Sequence, residues 1–205
     1  MSESFIAPDG KPRCRWVGGA PEFLDYHDQE WGFPIDDDRQ LFEKLCLESF
    51  QSGLSWRTIL NKRENFREAF NNFDFNKIAE FNQKDIDSLL NNEGIVRHRG
   101  KIEAVINNAK RAQELVRQEG SLGVFFWRYE AKIDQPGETQ RVPQSASTSD
   151  ESVALAKALK KMGWKFVGPT TVFAFLQSMG MINDHAKDCI MRDTVDHALK
   201  QFNRP

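Results

Sequence analysis

Residues 89–106 read LLNNEGIVRHRGKIEAVI, and this stretch decides the fold. Leu89 and Leu90 close one helical segment, Gly94 and Gly100 bracket a tight turn, and Lys101 opens a second helix. Glycine has no Cβ, so the backbone can pass close to a neighbour at such a turn. Downstream, Ile102, Val105, Ile106 and Ala109 recur at the spacing of one helix face through 101–119. The first N–H groups of a helix have no intrahelical acceptor and point outward, which suits an anion. Arg97, His98, Arg99 and Lys101 surround that end. A turn of this kind grips phosphate without reading a base. An ordinary helix–helix corner with a solvated basic turn has the same string, so both readings stay open on this segment alone.

Helical periodicity extends outward on both sides. Leu41, Phe42, Leu45 and Cys46 place a helix over 38–47, with Asp36, Asp37 or Asp38 as its cap. Helices are expected over 54–60, 64–70, 75–81 and 83–90, the last two capped by Asp74 and Asn82. An aromatic helix is expected over 121–129. Residues 130–148 are polar with two prolines and read as a surface loop. Thr148 and Glu151 have capping-box spacing ahead of a helix over 153–161. An apolar helix over 170–179 stops at Gly180, and a last helix is expected over 184–200. No Val/Ile/Thr alternation is sustained, so the fold is expected to be all-α, in one domain over 1–205.

Composition bounds the function. The 205 residues carry 28 Lys+Arg against 30 Asp+Glu, so the chain is not coated in positive charge, although a local patch can still bind nucleic acid. Three cysteines leave no complete disulfide framework, which fits a reducing, cytoplasmic setting. The first fourteen residues lack the charged end and apolar run of a secretory signal, and no apolar stretch is long enough to span a bilayer. No exposed apolar stripe is evident, so a monomer with no membrane partner is expected.

Two groups of residues carry chemistry. Cys14 and His27 lie near one end, and His185 and Cys189 near the other. On a helix the i, i+4 spacing of His185 and Cys189 puts both on one face. Two such pairs make a closed tetrahedral zinc set, whereas separate core packing of each residue is the plainer alternative. Glu48 follows Leu45-Cys46-Leu47 and falls near the core side of its helix. A carboxylate there needs partners or a raised pKa. Trp16, Phe23, Tyr26, Trp31 and Trp56 stand near it in sequence. Aromatic faces plus one carboxylate suit a flat cationic ring, and the carboxylate can accept from an exocyclic amine. A solvated Glu48 beside an ordinary aromatic core is the competing reading.

Four separated segments, RCRWVGGAPEFLDYHDQEWGFP, LFEKLCLESFQSGLSW, GIVRHRGKI and GWKFVGPTTVFAFLQSMGMINDH, occur in one order from about Arg13 to Cys189. Together they resemble the bacterial 3-methyladenine DNA glycosylase I family. The resemblance implies a helix–hairpin–helix glycosylase fold acting on alkylated double-stranded DNA. It implies a structural zinc on Cys14, His27, His185 and Cys189, joining the N- and C-terminal segments. It places the hairpin on 94–101, the base-recognition acid on Glu48 and the stacking aromatic on Trp56. Trp16, Tyr26 and Trp31 match other pocket positions. Gln51, Ser52, Gly53 and Leu54 match the element that approaches the gap left by an extruded base. The chain departs from the family at Phe23, often Tyr, and at Ser49, Phe50 and Ser52, often Gly, Gln or Ala. These departures bear on the range of bases accepted.

Residues 119–130 contain no Asp near the sugar position that other members of the superfamily use. A base that leaves as an already charged ring needs no strong acid. No lysine is evident as a Schiff-base nucleophile, so a monofunctional enzyme is expected. The competing readings are a non-catalytic DNA-binding module, a glycosylase of shifted base specificity, and a small-molecule-binding zinc protein.

Overall fold

The structure is a computed structural model and describes residues 4–131 and 143–205. Residues 132–142 of the expected surface loop lie outside the described residues. Eleven α-helices among the described residues form the frame. They are α1 (Phe23–Gln29), α2 (Asp38–Gln51), α3 (Trp56–Asn61), α4 (Arg63–Ala69), α5 (Phe75–Ile78), α6 (Gln83–Asn91), α7 (Arg99–Glu119), α8 (Leu122–Phe126), α9 (Asp150–Lys161), α10 (Pro169–Ser178) and α11 (Met191–Gln201).

The centre is α2. It packs against α3, α7, α8 and α10, and Leu41, Phe42, Lys44, Leu45, Cys46, Leu47, Glu48, Ser49 and Phe50 are all buried. Beyond its exposed first turn the helix has neighbours on nearly every side, so Lys44, Glu48 and Ser49 lose water. Asp37 caps it by accepting from Gln40 N–H at 2.8 Å. Asp38 reaches across to α8 instead, accepting from Leu122 and Gly123 N–H at 2.7 and 3.1 Å. Asp74 and Asn82 cap α5 and α6 as expected.

Several expectations are corrected. A two-stranded antiparallel hairpin, β1 (Ser4–Ile6) with β2 (Pro12–Cys14), precedes the helices and pairs Ser4 with Cys14. Three-residue strands are too short to show alternation. The box ahead of α9 is formed by Ser149 and Ser152, not Thr148 and Glu151. The helix after the basic turn begins at Arg99, with His98 as its cap, so Gly100 lies inside the first turn. The last helix begins at Met191, so His185 and Cys189 do not share a helix face. They sit in an irregular segment ahead of it.

The buried apolar residues form two clusters. The larger surrounds α2, and the smaller gathers Cys14, Val17, Tyr26, Trp31, Ala186 and Cys189. Trp56 packs against both.

Candidate active site and metal-ligand cluster

Between the two clusters lies a cavity of about 550 Å³, walled by Trp16, Phe23, Tyr26, Trp31, Glu48 and Trp56. Four residues of 16–31 are thus brought together with Glu48 and Trp56. The aromatic walls brace one another. Trp16 meets Phe23, Tyr26 and Trp31 at ring-centroid distances of 5.6, 6.2 and 5.2 Å, and Tyr26 meets Trp56 at 5.3 Å. Gln51 also lines it, and sequence reasoning missed Ser55, Gln144, Ala146, Ala174 and Gln177, which complete the lining. Gln144 and Ala146 belong to the segment read as surface loop. Gln177 Nε2 donates to Asp184 Oδ2 at 2.5 Å, which ties the wall to the segment carrying His185.

Glu48 is 5% exposed. Burial pushes its carboxyl up, and the Lys44 ammonium, 3.3 Å away, pulls it down. Lys44 donates to Tyr26 Oη. Its ammonium also lies 3.8 Å from the Trp56 ring centroid and 4.5 Å from that of Tyr26. Burial lowers Lys44 to about 8. Lys44 lies one helical turn before Glu48 and shares its face, but a lysine is seldom buried, so sequence reasoning passed over it.

The second cluster adjoins the first. Cys14 Sγ, His27 and Cys189 Sγ lie within 4.8 Å of one another, all buried. His185 stands beside them, its ring 5.0 Å from that of His27. Its Nδ1 contacts Asn183 Oδ1 at 2.8 Å, while its Nε2 is buried without a partner. His27 Nδ1 contacts Asp28 Oδ1 at 2.7 Å. Arg13 in turn forks onto Asp28, with Nε and Nη2 each at 2.8 Å. Carboxylate or amide partners of this type orient imidazoles around a metal. Burial lowers His185 to about 3, so its ring is neutral. Contact with Cys14, then with His27, lowers the Cys189 thiol. Two sulfurs and two imidazoles are the donor types of a tetrahedral zinc, with His185 just outside the group of three that lies within 4.8 Å. Gly32 makes room for His185: at φ +88° a Cβ there would lie 2.7 Å from His185 Cε1. Trp31 packs edge-on against His185 at 4.6 Å, so the cluster also supports the pocket wall.

The basic turn is more compensated than its sequence suggests. Arg97 lies 3.7 Å from Glu93, and Arg99 lies 3.5 Å from both Asp87 and Glu103. His98 Nδ1 takes the Lys101 N–H at 3.2 Å, one of the donors expected to face an anion. Lys62 Nζ donates to the Glu93 and Gly94 carbonyls at 2.9 and 3.2 Å, which pins the turn to the α3–α4 junction. The expected phosphate contact of Lys101 is corrected. Its side chain is buried, and Nζ donates to Phe50 O at 2.8 Å and Ser52 O at 2.5 Å. It holds the end of α2 from which Gly53 (φ +78°) and Leu54 project. Phe166, unmarked in sequence, has φ +56° and is 41% exposed. Its carbonyl accepts from Ser49 Oγ at 3.0 Å, and its ring packs near His98. A bulky residue held in that backbone region is uncommon and clusters at functional sites.

A mainly helical frame thus sets one buried acid among aromatic walls at a single cavity. Residues 16–193 match the methyladenine glycosylase family, and the chain belongs to it. It is 47% identical over 180 residues to the DNA-3-methyladenine glycosylase of Haemophilus influenzae, covering 86% of this chain and 96% of the relative. It is 46% identical over 181 residues to DNA-3-methyladenine glycosylase 1 of Escherichia coli, covering 86% and 95%. A crystal structure of 3-methyladenine DNA glycosylase I superposes with TM-score 0.79 at 46% identity, covering 87% of this chain and 98% of that one. A structure described as the basis of 3-methyladenine recognition by the Staphylococcus aureus enzyme superposes with TM-score 0.77 at 39% identity, covering 84% and 92%.

Proposed function

We propose that this protein is a DNA-3-methyladenine glycosylase, hydrolysing the bond between 3-methyladenine and deoxyribose in alkylated DNA. The observation that carries the reading is Glu48, a buried carboxylate aimed into an aromatic cavity of about 550 Å³. A base inside a duplex is out of reach, so it must be extruded, at a cost of a few kcal/mol that damage reduces. Glu48 accepts from the adenine edge while Trp56 stacks on the ring. 3-Methyladenine in DNA carries a positive charge, so its bond to the sugar is weak and the base departs without a strong acid. Water then attacks the sugar. Phe23, where relatives often have Tyr, leaves one phenolic hydroxyl out of the wall and bears on base range.

Double-stranded DNA meets the face formed by the turn between α6 and α7, with Arg97 and Arg99 releasing their exposed acidic partners for phosphate. Exposed ion pairs are worth little, so the exchange is cheap. This turn is the hairpin of a helix–hairpin–helix glycosylase. Leu54 and Phe166 add apolar contact, and Gly53 lets the backbone approach the gap. Cys14, His27, His185 and Cys189 hold a structural zinc, which closes the metal's coordination and leaves no position for water. Zinc there would tie β2 and α1 to the segment before α11, and through Trp16 and Trp31 would stiffen the pocket.

Incubation of methylated duplex with purified protein, followed by chromatography of free bases, tests the reading. Release of 3-methyladenine with 7-methylguanine left in place is expected. Glu48→Gln should retain the fold and slow release about 10- to 150-fold, matching the roughly 1.5–3 kcal/mol of a hydrogen bond to a charged group. Near-normal release by that variant would remove Glu48 from its assigned role.

A further inference from the structure

Glu48 sits where an ionised carboxylate is costly, and the side chain that offsets this cost is its neighbour one helical turn earlier. We propose that Lys44 is a positioning residue for base excision, holding the Glu48 carboxylate ionised and fixed in direction. The proposal rests on the reading that Glu48 receives the alkylated base. Lys44 itself lies behind the pocket wall and touches no substrate.

The geometry is specific. Lys44 is 8% exposed at its side chain, and its ammonium is 3.3 Å from Glu48 Oε1. The Tyr26 hydroxyl accepts a second hydrogen bond from it. The Trp56 and Tyr26 rings lie close to the same ammonium. Three pocket-wall residues on three helices therefore share one cation. Behind it a narrower cavity is lined by Glu30 from the end of α1, Glu43 from α2, and Arg63 and Arg67 from α4. These are the charged groups that face Lys44 besides Glu48. Glu30 and Arg63 act on it in opposite directions. Arg63 is itself forked onto Glu30, with Nη2 3.0 Å from Oε1, and Arg67 Nε is 2.8 Å from Glu43. The two arginines are thus engaged with their own acids, which leaves Lys44 to act on Glu48.

The consequence follows from the sign of each effect. Burial favours the protonated acid, and a protonated Glu48 has one fewer acceptor for the adenine edge. The Lys44 charge opposes burial. Excision then falls as pH drops through the Glu48 titration, and removing Lys44 moves that acid limb to higher pH.

The test uses the intact enzyme on methylated duplex, with rates measured across pH under single-turnover conditions. Lys44→Gln keeps a donor for Tyr26 without charge, and Lys44→Met keeps only the chain length. At pH values on the acid limb both should lose about ten-fold for each pH unit by which the limb moves, and both should recover as pH rises. Lys44→Arg keeps the charge and should keep the acid limb near its wild-type position. An acid limb that stays in place in Lys44→Gln overturns the proposal. In the wild-type protein, carboxyl-carbon NMR should find Glu48 ionised at neutral pH, and a protonated Glu48 there overturns the proposal without any variant. Glu48→Gln separates this from the underlying reading: normal release by Glu48→Gln sinks the base-recognition role. Loss in Glu48→Gln with an unmoved limb in Lys44→Gln sinks only the role of Lys44.

Discussion

Lys101→Met separates two physical roles for one cation. The residue follows a basic turn, but its ammonium is buried against carbonyls at and just past the end of α2, Phe50 O and Ser52 O. Burial lowers its pKa, as expected for an ammonium withdrawn from water. Each hydrogen bond from a charged donor is worth about 1.5–3 kcal/mol. Methionine keeps the stem packed, and Ser52 is exposed, so water replaces one partner. A net loss of about 2–3 kcal/mol of stability follows. For a domain of this size it lowers Tm by about 4–12 °C, at about 2–4 °C per kcal/mol. The loop 51–54 loses its anchor, so maximal excision should fall about ten-fold, within the range that ångström-scale misplacement produces. The salt dependence of duplex affinity should not change. Removing a lysine that neutralises a phosphate would instead reduce the slope of log affinity against log salt by about 0.9. A wild-type Tm combined with that reduced slope would refute the structural role and restore the electrostatic one.

Two further outcomes are expected. Protein expressed with zinc should contain one ion per chain by elemental analysis, and chelation should cost stability before it touches chemistry, because a structural zinc contributes folding free energy directly. A metal-free protein with the same Tm and the same excision rate would contradict the zinc assignment. Phe166→Ala and Leu54→Ala should each weaken binding to methylated duplex about ten-fold by fluorescence anisotropy, the scale of one apolar side chain removed from a base. Their side chains are more than 40% exposed, so melting temperature should barely move. Unchanged affinity in both variants would place the DNA elsewhere.

Much of this protein is legible along the chain. The apolar stripe of α7 over Ile102, Val105, Ile106 and Ala109 is buried as its periodicity requires. Asp74 and Asn82 cap the helices they precede, because capping depends on groups within three residues. The resemblance of four segments gathered Glu48, Trp56, Tyr26, Trp16, Trp31 and Phe23, and the cavity unites all six. Cys14, His27 and Cys189 also meet, with His185 adjacent, although a turn rather than a helix face brings the last pair there.

What the chain alone leaves open is the environment of its charges. Glu48 stands out by its helical phase, but Lys44 and Lys101 look like any polar residues on helical segments. Their burial is set by α3, α7, α8 and α10 closing around α2, and those neighbours come from residues far apart in sequence. Local patterns record which face is apolar, and between Leu41 and Phe50 α2 has only the half-buried Glu43 to contrast with. Tertiary packing therefore decided that Lys101 holds a helix end rather than a phosphate, and that Lys44 stands behind Glu48. Removal from water is a property of the assembled core, and it converts three ordinary charges into fixed partners of the site.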